Sequence, residues 1–194
     1  MFKQVVVGVD EQHGSRDAIA LATRLLAQDG ELTLAHVFSG EPHLYRSPTV
    51  IYEKQRERTV ALLEKTREET GVQAHLRWRQ SPSPGRGLHE LCEVIEADLL
   101  VVGSSRRGLL GRVLIGDDTR AALNAAPCAI AIAPAGLASE RAVMREIGVG
   151  YDESPESEHA LAVARQLAAE LGTKLSAFEA VSFQFSPETQ LTRR

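Results

Sequence analysis

The chain has little cysteine, no excess of positive charge and no long apolar run. Its two cysteines, Cys92 and Cys128, show neither CxxC spacing nor a neighbouring histidine, which argues against a structural metal site and a disulfide framework. Both sit in apolar stretches and read as buried thiols in a reducing compartment. Lysine and arginine number 22 against 26 aspartates and glutamates, a net charge of −4. A general affinity for nucleic acid or anionic membranes needs a positive field, so neither partner is expected. The apolar run near the N-terminus is too short for a signal-peptide core. The alanine-rich stretch 121–138 is interrupted by Pro127 and Pro134, unlike a membrane span. The expected location is cytoplasmic. Two phosphate motifs are also missing: no GxGxxG follows the first apolar run and no GxxxxGK[ST] occurs. A dinucleotide-binding Rossmann domain and a P-loop NTPase are therefore unsupported.

What is present is an ordinary globular composition, 43% hydrophobic and 25% charged over 194 residues, enough for one domain or one and a fraction. Short branched runs alternate with helical patterns. Strands are expected at 5–9, 32–37, 72–80 (alternating weakly, as an edge strand does), 98–103 and 128–133. Helices are expected at 15–28, ended by Asp29-Gly30; at 50–70, with a thin stripe of Val60 and Leu63; and through Leu88, Leu91, Cys92 and Ile95. Continuous rather than alternating apolar strands mean that both sheet faces are covered, hence a parallel sheet in a βα repeat. The expected fold is a doubly wound α/β sheet of five strands, spanning residues 1–134.

Residues 146–181 repeat residues 4–37. Val-Gly-Val-Asp-Glu at 7–11 recurs as Val-Gly-Tyr-Asp-Glu at 149–153, and Gly30 has its counterpart in Gly172. A linker is expected over 135–145 and a truncated second repeat, a βαβ unit, over 146–194. Two strands and one helix bury too little to be stable alone. Such a unit is expected to dock on the first domain, pair with another chain or be a degenerate remnant.

Ligands of an open parallel sheet bind beyond the carboxyl ends of its strands, where strand order reverses. That points to the loops after Val9, Val37 and Val102. The segment Gly103-Ser-Ser-Arg-Arg-Gly108-Leu-Leu-Gly111-Arg-Val-Leu-Ile-Gly116-Asp-Asp-Thr119 holds four glycines, three arginines and two serines. Such a loop would bring backbone N–H groups and positive charge to an anion.

These residues resemble the universal stress protein family. The resemblance rests on Val-Gly-Val-Asp at the first strand, His36-Val37 at the second, Asp98-Leu-Leu-Val-Val-Gly-Ser at the fourth, and Gly111-Arg-Val-Leu-Ile-Gly116 running to Ala126-Pro127-Cys128. It implies strand order 3-2-1-4-5 and an ATP-type ligand. By position, Val9 and Asp10 would lie at adenine and ribose, with Val37 and Val102 walling the base. Gly103 and Gly116 would approach the phosphates. Nucleotide-binding members carry G-x2-G-x9-G-[ST], and this chain departs from it twice. Arg106 stands at the second glycine, and Asp117, followed by Asp118, at the terminal hydroxyl. The candidate cofactor-binding set is thus Val9, Asp10, Val37, Val102, Gly103, Arg106, Gly116, Asp117, Asp118 and Thr119.

A side chain in place of glycine costs roughly 1–2 kcal/mol if the position needs positive φ. A carboxylate ~4 Å from a phosphate repels it by ~4 kcal/mol at an effective dielectric of ~20. Arg106, Arg107 and Arg112 would offset this in part, and Mg²⁺ held by Asp117 or Asp118 would reverse its sign. Without metal, binding is expected to be weak or absent. Plainer readings stay open: Asp10 as a loop anchor or helix N-cap, Asp117 and Asp118 as caps favouring a helix dipole, Arg106 and Arg107 as solvated loop. His36 reads as a hydrogen-bonded core histidine, and the other histidines show no metal spacing. Trp78 reads as packing rather than base stacking.

Three functions follow. The first is a cytoplasmic stress-response binding and regulatory module with a degenerate ATP-type site. The second is a scaffold of the same fold that self-associates as a homodimer through the fifth strand, the edge the resemblance implies. The third, slow ATP hydrolysis, ranks last, because no residue set offers a nucleophile or general base oriented by another group. No catalytic residue is assigned.

Overall fold

Three consecutive valines in a strand cannot be hidden by one covering layer, because successive side chains point to opposite faces. Val5, Val6 and Val7 are 1%, 0% and 0% exposed, so the strand that carries them is covered on both sides. In the computed structural model, which describes residues 1–11, 14–38, 48–104, 126–139 and 144–179 (backbone only over 48–51), that strand is β1, Phe2–Gly8. It pairs in parallel with β2 (Leu26–Phe38) on one edge and β4 (Leu99–Gly103) on the other. Beyond these lie β3 (His75–Gln80) and β5 (Ala129–Ala133), giving an all-parallel sheet ordered β3-β2-β1-β4-β5. The order implied by the family resemblance is the order found.

Helix α3, Pro84–Ile95, packs on β1, β2 and β3. It places Leu88, Leu91 and Cys92 against Val6, Ala35, Leu100 and Val102. Helix α1 (Gly14–Leu25) packs on β1, β2, β4 and β5 and helix α2 (Pro48–Thr70) on β2 and β3, and the two helices touch each other, with Arg16 and Glu69 paired at 2.8 Å. At the start of β1, Asp98 accepts hydrogen bonds from the Lys3 and Gln4 N–H groups at 2.7 and 3.0 Å. This carboxylate fixes β1 beside β4 at the end opposite the candidate site.

Three details differ from the sequence reading. Helix α1 ends at Leu25, ahead of Asp29-Gly30, and β2 begins at once. Phe2 pairs with Leu26 and Gln4 with Glu31, so Lys3 alone faces residues 27–30 and the Asp-Gly turn is absorbed as a bulge. Lys3 Nζ and Asp29 Oδ2, 2.9 Å apart, bridge it. The buried stripe of α2 contains Thr59, Leu63 and Thr66 rather than Val60. Threonine tolerates that position because its hydroxyl bonds back into the helix; Thr66 Oγ1 donates to the Leu62 carbonyl at 2.8 Å. The expected linker is tied down in its first half. Asp17 on α1 accepts from the Gly136 and Ala138 N–H groups at 2.9 and 2.7 Å, around a 3-10 turn at Leu137–Ser139.

The chain divides into two compact units, Met1–Ala142 and Val143–Arg194. In the second, β6 (Glu146–Gly150) and β7 (Lys174–Phe178) pair in parallel across α4 (Pro155–Leu171). The repeated sequence makes repeated bonds. The Val9 N–H donates to the Ala35 carbonyl and the Tyr151 N–H to the Phe178 carbonyl, both at 2.8 Å. The N–H groups of Asp10 and Asp152 each donate to a serine hydroxyl five residues on, Ser15 and Ser157.

Helix α3 begins with Ser83 as N-cap, its Oγ accepting from the Arg86 N–H at 3.3 Å, and Pro84 at the first helical position. It ends with Glu96 in the left-handed region at φ 55°, where the Ala97 N–H donates to the Cys92 carbonyl at 2.9 Å. Glycine is the usual residue at such a cap. Glu96→Gly is expected to raise stability by up to about 1 kcal/mol, read as a higher urea midpoint with unchanged slope. An unmoved midpoint would show that the glutamate is not strained there.

Candidate functional site

Strand order reverses between β1 and β4, and ligands of an open parallel sheet bind at the carboxyl ends of the strands at such a switch point. The structure has a cleft at that point, of about 150 Å³, lined by Gly8, Val9 and Asp10 from β1 and its loop, Ala35, His36 and Val37 from β2, Val102 and Gly103 from β4, and Pro84 and Leu88 from α3. Five of the ten candidate residues, Val9, Asp10, Val37, Val102 and Gly103, meet here. The other five, Arg106, Gly116, Asp117, Asp118 and Thr119, lie outside the described residues.

The walls are apolar and tightly set. Val9 and Val102 are buried. A Cβ on Gly8 would come within 3.2 Å of Leu88 Cδ1 and 3.3 Å of Val102 Cγ1. On α3, a Cβ at Gly87 would lie 2.5 Å from Val37 Cγ1, so glycine lets the helix settle onto Val37. The N-terminal turn of α3 thereby brings Pro84 and Leu88 to the cleft.

The polar groups are oriented by their neighbours. His36 Nδ1 lies 2.7 Å from the Val9 carbonyl oxygen, and since a carbonyl only accepts, Nδ1 donates. The core hydrogen bond expected for His36 is present, and the half-buried ring also lines the cleft. The Asp10 N–H donates to Ser15 Oγ at 3.0 Å, and the Ser15 hydroxyl is 3.1 Å from both the Asp10 carbonyl oxygen and Oδ1. Asp10 is thus a loop anchor and, at once, a carboxylate at the mouth of the cleft. Trp78 packs with Phe38 and Tyr52, ring centroids 5.9 and 6.1 Å away, and is not among the cleft residues.

Sequence reasoning missed Gly8, Ala35, Pro84 and Leu88 as lining residues and assigned His36 to the core. The available signal was the Ser83-Pro84 helix start, which fixes where α3 begins but not which loop it faces. Among the described residues no group of three His, Cys, Asp or Glu side chains is placed to hold a metal ion, and no helix is long and apolar enough to cross a membrane.

An all-parallel five-stranded sheet in this order defines an open, doubly wound α/β domain. The universal stress protein family model matches residues 1–134, and the chain belongs to that family. Universal stress protein Rv2005c of Mycobacterium tuberculosis is 30% identical over 92% of this chain and 64% of its own length. The chain therefore spans just under two thirds of the curated relatives it matches. Of the solved structures, a universal stress protein from Archaeoglobus fulgidus superposes with a TM-score of 0.63 at 13% identity, over 92% of this chain and 67% of that one. A family member from Burkholderia pseudomallei gives 0.51 at 18% identity, over 69% of this chain and 96% of that one. At these identities the superpositions establish the fold.

Gly103 has a packing duty that its place in a phosphate motif does not explain. A Cβ there would lie 2.7 Å from the Gly14 carbonyl oxygen and 2.9 Å from Gly14 Cα, at the first residue of α1. Gly103→Ala is expected to destabilise the domain by about 1–3 kcal/mol, as overpacking does, measured by urea unfolding without ligand. An unchanged midpoint would mean that the α1 start yields freely.

Proposed function

We propose that the chain is a nucleotide-responsive binding module that acts through ligand-dependent association rather than turnover. The observation that carries this reading is the convergence of Val9, Val37 and Val102, with Asp10 at the mouth, on one cleft at the switch point of a universal stress protein domain. An apolar slot between valines suits the faces of a purine, and a carboxylate at its edge suits ribose hydroxyls. At about 150 Å³ the cleft is smaller than the roughly 300–1,000 Å³ of pockets that enclose drug-sized ligands. It would take one planar ring and leave the triphosphate to groups beyond it.

Those groups would come from the Gly103–Thr119 segment, where Arg106 and Asp117 replace glycine and hydroxyl. Arginine pairs well with phosphate, whereas an aspartate there favours nucleotide only with a divalent cation between them. The proposed ligand is therefore ATP with Mg²⁺, weakly held, acting in the cytoplasm.

A second reading is a self-associating scaffold. It is favoured by β5, which has a strand on one side only among the described residues and leaves Ile130, Ala131 and Ile132 half-buried.

Calorimetric titration of ATP, with Mg²⁺ and then with EDTA, separates the two. The module reading expects binding with Mg²⁺ and at least roughly tenfold weaker binding in EDTA, a difference of about 1.4 kcal/mol, with adenosine binding alike in both buffers. No heat in either buffer, from folded protein free of co-purified nucleotide, overturns it. A dimer in sedimentation at micromolar concentration would then support the scaffold.

A further inference from the structure

Cys92 and Cys128 are far apart in sequence and neighbours in the fold. The αL cap at Glu96 turns the chain from α3 into β4 within three residues, and the Ala97 N–H returns to the Cys92 carbonyl at 2.9 Å. Cys92 is thereby held over the first residues of β4. Cys128 immediately precedes Ala129, the register partner of Leu99 at the start of β4. It packs against the cluster that contains Cys92, Leu91 and Leu100. The two thiols are close enough to influence each other's ionisation. Both are free thiols, Cys92 buried and Cys128 half-buried. The spacing of 36 residues does not show this; the fold brings the two together.

We propose that Cys92 and Cys128 form a hydroperoxide-reactive dithiol that closes to an intramolecular disulfide between α3 and β5. The two thiols have distinct roles. The neighbouring Cys92 holds the Cys128 thiol below its ordinary range, and the same closeness together with burial pushes Cys92 up. Cys128 is the more accessible of the two, and it is as the thiolate that a cysteine reacts. Its sulfur attacks one oxygen of the hydroperoxide, the O–O bond breaks, and the leaving oxygen departs as water or alcohol with a proton from solvent. Cys128 is left as a sulfenic acid. Its negative charge is then gone, and with it much of what kept Cys92 protonated. The Cys92 sulfur attacks the Cys128 sulfur, an S–S bond forms, the S–O bond breaks, and hydroxide leaves with the Cys92 proton as water. Two electrons pass from the two sulfurs to the hydroperoxide.

The link would tie the C-terminal turn of α3 to the edge of the sheet, and the other end of α3 carries Pro84 and Leu88 of the cleft. The proposal does not depend on what the cleft binds.

The test is brief exposure of the full-length wild-type chain to hydrogen peroxide, followed by unfolding, alkylation and intact-mass analysis. The expected product is a monomer lighter by two hydrogen atoms, with both cysteines lost to alkylation and regained on treatment with dithiothreitol. C92S, where it folds, should instead give a Cys128 sulfenic acid that a dimedone probe captures. A disulfide-linked dimer through Cys128, a sulfinic acid at Cys128 with Cys92 still alkylated, or two unreacted thiols would each overturn the proposal. The decisive reading comes from the wild type and needs no variant to fold.

Discussion

Burial of β1 on both faces and both edges is the constraint from which the rest of the domain follows. A strand of Val5, Val6 and Val7 with no exposed side must have parallel neighbours beside it and helices above and below. Parallel neighbours demand crossover connections, and crossovers of one hand run to one face on the β2 side and to the other on the β4 side. The reversal falls where β1 meets β4, and a ligand cleft of such a sheet lies at the carboxyl ends there. The cleft is a consequence of how the chain covers its most apolar strand.

The size of the cleft is set by glycines that serve close packing rather than unusual backbone angles. Gly87 lets α3 approach Val37, Gly8 leaves room for Leu88 and Val102, and Gly103 abuts the backbone of Gly14. None of the three has a positive φ. They bring the N-terminal turn of α3 and the start of α1 to the strand ends, beside a cleft of only about 150 Å³. A packing duty and a ligand-facing position coincide at Gly103, so the presence of glycine there cannot by itself signal phosphate binding.

The strands were legible in the sequence because doubly buried strands are continuous apolar runs, as in the four residues Leu99–Val102, and the run is too short for a helix. Their order was not legible from periodicity; it came from the resemblance carried by Val-Gly-Val-Asp and the Gly-rich segment after β4. The end of α1 was misplaced because Asp-Gly breaks a helix locally, and only pairing with β1 shows that the break falls inside a bulged strand. Thr66 is not legible as core, because a polar side chain in sequence does not show that its hydroxyl bonds back to the Leu62 carbonyl. Of the cleft, the residues in strand-end loops were legible, since a general rule places ligands there. Pro84 and Leu88 were not, because which helix end reaches a cleft depends on contacts distant in sequence. The nearness of Cys92 and Cys128 was hidden for the same reason.

The second unit separates what short-range sequence encodes from what burial requires. Residues 146–150 stand where residues 4–8 stand in β1, and the strand-end bonds of Val9 and Asp10 recur at Tyr151 and Asp152. Helix α4 is capped by Ser154 and by Gly172 in the left-handed region. Hydrogen bonds and caps are therefore reproduced wherever the local sequence recurs. Burial is not: of β6 only Val149 is buried, and Gly148 stands where β1 has Val6. The Phe178 ring reaches to 2.9 Å of the Cβ that Gly148 lacks and is still 63% exposed. Among the described residues β6 has one strand beside it where β1 has two, and only the two-sided arrangement hides three successive side chains, Val5, Val6 and Val7. The βαβ unit is thus specified locally, while a core, and the cleft that depends on it, belongs to the sheet of five.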